Sequence, residues 1–160
     1  MLEDRKTEIE DSVFEITKFE NRYTSDSSLS ISIPVKWENI NLSNNAEIQA
    51  GDNSKKMYVI AGEQKFNNAN IDTIPAALIK LFSKSLENIR IIDSSFTKKN
   101  NFSEIRYTFS GTKNNYDLTY YFVLLVKDKK VYEVFFWTPT DVFRWNKIYC
   151  EKIAGSIEIR

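Results

Sequence analysis

Histidine is absent from this 160-residue chain. That removes the commonest general base, the Ser-His-Asp and Cys-His nucleophile systems, and the usual catalytic zinc sites. The single cysteine, Cys150, excludes an intrachain disulfide and a structural zinc cluster. With only four glycines there is no Walker loop, no dinucleotide fingerprint and no nucleophile elbow. No run of about 18 apolar residues occurs, so no membrane-crossing helix is expected. Charge of one sign is missing too: 22 basic residues balance 22 acidic ones, and Arg is scarce beside Lys. A nucleic-acid binder usually carries a basic excess to neutralise phosphate, so no nucleic-acid partner is expected, and no cofactor.

What remains is a globular composition, 42% hydrophobic with three Trp, eight Tyr and eleven Phe, enough to offset the entropy of ordering one domain. Residues 1–27 read as an N-terminal segment, charged and polar from Met1 to Asp11, with a leading strand over Ser12 to Phe19 and a polar connection from Asn21. Residues 28–160 read as a single domain. Leu29-Ser30-Ile31-Ser32-Ile33 alternates with period two, a half-buried strand that Pro34 ends. Ala46 to Ala50 is a candidate short strand, Gly51 to Ser54 a turn, and Met57 to Gly62 a buried strand.

The period then changes. Ile71, Ile74, Leu78, Leu81, Phe82 and Leu86 recur at spacings of three and four, which predicts a helix over 73–87 capped by Asp72 or Thr73. Four strands follow, Ile89–Phe96, Ser103–Ser110, Tyr116–Lys127 and Lys130–Thr138, joined by links too short for parallel crossovers. They predict an antiparallel meander. Both faces of the last two are apolar, so they should lie centrally with a layer packed on each side. A helix over 141–155, with a stripe of Val142, Trp145, Ile148, Tyr149 and Ile153, is expected to begin at Thr140 or Asp141 and close at Gly155. Ile157 and Ile159 add a short last strand. The expected class is α+β: an α/β/α sandwich around a mostly antiparallel sheet.

Candidate chemistry is thin. Glu63, at the end of a buried strand, reads as a carboxylate facing a cleft or as a solvated turn residue paired with a Lys such as Lys65. Glu104 and Glu133 lie within strands, and Glu133 shares its alternation with Phe135 and Trp137, so burial with a hydrogen-bond partner is expected. Asp52-Asn53-Ser54 lacks the convergent oxygens of a cation loop, and no metal site is expected. Cys150 reads as a half-buried structural thiol. Trp37, Trp137 and Trp145 are either ligand- or partner-facing aromatics or core residues.

Leu29-Ser30-Ile31-Ser32-Ile33-Pro34-Val35-Lys36-Trp37 resembles the opening of PsbP-like proteins, in which a strand is followed by Pro, a short spacer and Trp. The order of elements over residues 28 to 160 agrees, through Ile153-Ala154-Gly155-Ser156-Ile157. The family's usual glycine before the tryptophan is Lys36 here. These proteins share a fold with a nuclear-import cofactor that binds the GTPase Ran, and they include exported bacterial lipoproteins. The resemblance implies an α/β/α sandwich that binds or scaffolds rather than catalyses. It also implies an extracytoplasmic protein, secreted or held by a lipid anchor that this sequence lacks, with a cytoplasmic location as the alternative.

Three functional expectations follow. A non-enzymatic module should show an exposed aromatic patch near Trp37, with Trp37, Glu63 and Trp137 as contacts to a partner protein or a small ligand. A small-ligand carrier should show an aromatic-lined pocket between sheet and helix. A histidine-independent enzyme needs Glu63 or Glu133 to meet a second carboxylate or a lysine.

Overall fold

The computed structural model describes residues 17–43, 45–64, 73–99 and 101–160, with backbone alone at Ile74 and Pro75. Nine strands and two helices occur among them: β1 Phe19–Tyr23, β2 Leu29–Pro34, β3 Ile48–Asp52, β4 Met57–Gln64, α1 Ile74–Phe82, β5 Glu87–Lys98, β6 Ser103–Lys113, β7 Tyr116–Lys127, β8 Lys130–Pro139, α2 Phe143–Gly155 and β9 Glu158–Ile159. The strands form two antiparallel sheets, a six-stranded one in the order β3-β4-β8-β7-β6-β5 and a three-stranded one in the order β1-β2-β9.

The expected meander is present as β5 to β8, and β7 and β8 are central. Val123 and Val134 of these strands are cross-strand partners facing one side. They join Leu125, Tyr132 and Phe136 in a core closed by Leu29, Ile31 and Ile33 of β2 and by Tyr149, Cys150, Ile153 and Ala154 of α2. On the other side Phe122, Leu124 and Phe135 pack with Leu78 and Phe82 of α1 and with Leu86 beyond it. Phe82 anchors that helix: its ring stacks on Phe135 at 4.9 Å and lies 5.6 Å from Phe109. Two-sided apolar strands thus produce a layer on each face, as their patterning requires.

Local chemistry explains the turns. Asn114 and Asn115, between β6 and β7, both have positive φ, at 51° and 65°. Type I′ hairpins need that conformation at both central positions, and Asn tolerates it. Gly51 is required sterically: an added Cβ would lie 2.8 Å from the Met57 carbonyl oxygen.

Several boundaries differ from the sequence reading. The polar stretch from Asn21 is strand through Tyr23, because β1 pairs along its length with β2, from Phe19 opposite Pro34 to Tyr23 opposite Ser30. The earlier part of the expected leading strand, Asp72 and Lys65 lie outside the described residues. Strand β2, which the sequence reading assigned to no particular sheet, lies in the small sheet between β1 and β9. Helix α1 stops at Phe82, five residues before the expected end, where Ser83 and Ser85 donate their hydroxyls to the carbonyls of Lys80 and Phe82. Serine side chains compete with the helical ladder in this way.

Helix α2 is preceded by a 3-10 turn, Thr140–Val142, and no side chain caps its start. The Thr140 hydroxyl instead accepts from Thr119 at 3.0 Å. The buried stripe is Asn146, Tyr149, Cys150, Ile153 and Ala154, rotated from the expected one. Trp145 is half-buried under the Arg144 guanidinium, 4.1 Å from its ring centre. Polar Asn146 is accommodated because its amide donates to the Lys55 carbonyl and the Thr138 hydroxyl. Gly155 has no positive φ and does not close the helix. Ser156 does: its hydroxyl donates to the Ile153 carbonyl at 2.6 Å and accepts from the Ser32 N–H at 2.8 Å, tying α2 to β2.

Candidate functional site

The three residues singled out by sequence do not assemble into one site. Trp37 is 3% exposed and sits in the α2-side core, 6.0 Å from the Tyr149 ring. The expected exposed aromatic patch around it is therefore corrected: a side chain so enclosed offers a partner almost no surface. Trp137 lies on the opposite face, half-buried and stacked on Tyr58 at 5.7 Å. Glu63 is exposed at the end of β4, opposite Tyr132.

The buried carboxylates do no visible chemistry. Glu104 accepts from the Arg106 guanidinium at 3.1 Å, and Arg106 also donates to the Tyr121 hydroxyl at 3.2 Å. A buried anion needs such a partner. Glu133 is 7% exposed, flanked across the sheet by Gly62 of β4 and Leu124 of β7. Burial pushes its carboxyl up to about 7, against an opposing hydrogen bond to the Gln64 side chain. Beside it lies a void of about 10 Å³ lined by Asn45, Ala46, Ile60 and Gly62, about the space of one water. Among the described residues, no cluster of three or more metal-ligating acidic or thiol groups forms.

Cys150 is more deeply buried than expected, at 1% exposure, and burial pushes its thiol well above the usual range. Thiolate is the reactive form, so the native protein should leave a thiol-directed disulfide reagent unconsumed over hours and react within minutes in denaturant. Rapid reaction without denaturant would contradict this packing.

A cleft of about 510 Å³ opens between β1 and the segment leading into β3, lined by Arg22, Tyr23, Asn39, Asn41, Glu47 and Gln49. It is not the pocket between sheet and helix that a carrier was expected to have. Two of its polar side chains, Arg22 and Gln49, are already hydrogen-bonded within the protein. The Arg22 guanidinium pairs with Glu20 and with Asn39. The Gln49 amide accepts from the N–H groups of Leu42 and Ser43 and donates to the carbonyls of Ser43 and Ala46. The Gln49 contacts hold the loop at Leu42, Ser43 and Ala46.

Among the described residues, the strand edge most exposed to a partner is that of β5. At the other end of the sheet, β3 is partly closed by a reciprocal backbone bridge between Gly51 and Glu38, at 2.9 and 3.0 Å. Strand β5 has 12 residues and pairs only with β6 among the described strands. Every residue of it but Ile89 is exposed, including Ile91 at 50%, Ile92 at 48% and Phe96 at 58%. An unpaired strand edge offers backbone N–H and C=O groups to another strand, and exposed large apolar side chains beside it add area to bury. Sequence reading found the strand but not its position. The one available signal was its polarity beside β7 and β8: Arg90, Asp93, Ser94, Ser95 and Thr97 cannot all be central.

Comparison with solved structures gives the frame. Cyanobacterial PsbP (CyanoP) from Synechocystis sp. PCC 6803 superposes with a TM-score of 0.72, at 8% identity, over 91% of this chain and 94% of that one. The fold is that of the PsbP-like proteins. The Ran-binding protein Mog1p of Saccharomyces cerevisiae aligns with a TM-score of 0.65 at 5% identity, covering 89% of this chain and 96% of Mog1p. LpqN, involved in cell envelope biogenesis of Mycobacterium tuberculosis, aligns at 0.59 with 15% identity over 90% and 91% of the two chains. No protein-family model matches the sequence, and no curated protein is similar to it at the sequence level. The PsbP-like resemblance read from the order of elements therefore holds at the level of fold, while identities this low carry no site residue across.

Proposed function

We propose that this PsbP-like domain is a non-enzymatic binding module that holds a protein partner along the β5 edge. The observation that carries the reading is a 12-residue strand whose outer edge meets no other described strand, with Ile91 at 50%, Ile92 at 48% and Phe96 at 58% exposure. Strand addition suits such an edge, because main-chain bonds supply affinity and alternate side chains supply choice. The Ran-binding description of Mog1p supports a protein as the partner class, and balanced charge argues against nucleic acid. We place the module outside the cytoplasmic membrane of a bacterium, as a lipid-anchored or secreted protein; the similarity to LpqN supports this, and fractionation of the native cell tests it.

In-cell cross-linking tests the surface. A photoreactive residue at Ser95 should trap a discrete protein adduct, and Phe96→Asp should reduce its yield about tenfold while the domain stays folded. Equal yields with and without that substitution would sink the β5 reading.

A further inference from the structure

We infer that the strand completing the β5 edge is β5 of a second copy of this chain; the inference rests on the reading of β5 as the binding edge. Its central residues run Arg90-Ile91-Ile92-Asp93. In an antiparallel pair of identical strands with a two-fold axis between residues 91 and 92, Arg90 stands opposite Asp93 of the second copy and Ile91 opposite Ile92. The symmetry repeats both pairs, as a closed, isologous contact demands.

The faces agree with this register. Arg90 is the cross-strand partner of Ser110 and Asp93 that of Thr108, while Ile91 partners Phe109 between them. Thr108 in turn sits opposite Tyr121, which belongs to the α2-side core. Arg90 and Asp93 therefore project on the α2 side, although only two residues separate them, because the strand bulges between Ile91 and Asp93. Ordinary alternation would put positions three apart on opposite faces. The bulge is what lets each guanidinium meet a carboxylate on the same side of a continuous sheet.

Charges and bulges on an edge strand ordinarily guard against indiscriminate pairing. Here their order also selects one partner. A parallel copy in register would oppose Arg90 to Arg90, and another strand must match a cation and an anion three positions apart. Specificity by repulsion of alternatives works in this way. A single strand edge buries less than a standard interface, so the association should be weak and reversible.

Sedimentation equilibrium of the full chain across a wide concentration range tests this. The wild type should show a monomer–dimer equilibrium that weakens with salt. Arg90→Asp or Asp93→Arg should lower the association constant about tenfold or more, since each removes two attractive pairs and creates like-charge ones. Both positions are exposed, and circular dichroism checks that the variants fold. An equimolar mixture of the two variants should recover dimer, because one carries two carboxylates and the other two guanidinium groups. A wild type monomeric throughout, single variants that associate like wild type, or a mixture that stays monomeric each overturns self-pairing. If Ser95 cross-links a different protein while the wild type is monomeric, self-pairing fails and the protein-binding reading stands. If Ser95 traps nothing and the chain is monomeric, both fail.

Discussion

Replacing Trp37 with Ala should cost about 3–5 kcal/mol of folding stability, the range for removing a large aromatic from a core. The indole is 3% exposed and packs in the core shared by β2, β4, β7, β8 and α2. Its position is fixed from both sides. The Trp37 N–H donates to the Pro34 carbonyl at 2.9 Å, turning the chain directly after β2. The Tyr149 ring, 6.0 Å away, meets it from α2, and the Lys55 ammonium covers that ring at 5.3 Å. Truncation would leave a void between three elements whose backbones are held by sheet and helix bonds, so little collapse can fill it. Urea titration should show a lower midpoint with an unchanged slope. Trp37→Phe should lose less, because a ring remains. A loss below about 1 kcal/mol for Trp37→Ala would place the indole at the surface after all. A partner-facing role predicts the opposite pair of results: near-native stability and lost binding.

The strand alternation that placed Trp37 next to a turn could not say what lay above that turn. Tyr149 lies 112 positions further along the sequence, and only the folded register brings it there. The same limit applies to β2: alternation at Leu29, Ile31 and Ile33 announces one buried face, not which sheet the strand joins. Patterns spanning neighbours read well. The two-sided apolar faces of β7 and β8, the short polar links between strands and the period change before α1 all gave the right layers. The end of α1 and the rotation of α2 did not read, because Ser83, Ser85 and Asn146 act through side-chain hydrogen bonds that hydrophobic periodicity ignores. The exposure of β5 follows from being last in the sheet order; the polarity of its residues hinted that it was not central but could not name its place at the edge. Glu133 did read: its alternation with Phe135 and Trp137 put it inside the sheet, where it now has Gln64 as partner.

That burial gives the second large effect. Replacing Glu133 with Gln should stabilise the protein at pH 8 by about 3 kcal/mol and change little at pH 4. The folded carboxyl titrates near 7 instead of its ordinary 4.5, chiefly because burial disfavours its charged form. Below 4.5 both folded and unfolded chains hold the proton, and Glu133 imposes no penalty. Between 4.5 and 7 the unfolded chain releases the proton while the folded one retains it, so stability falls as pH rises. Above 7 the folded protein carries a buried anion whose full cost remains. The Gln amide has almost the same shape, stays neutral and can keep a hydrogen bond to Gln64. The wild-type minus variant difference in unfolding free energy therefore isolates this one group from every other titration. It should be near zero at pH 4, rise through pH 5 to 7 and reach its plateau by pH 8. A difference that stays flat across that window would mean Glu133 is solvated, and the packing of Gly62 and Leu124 around it would have to be redrawn.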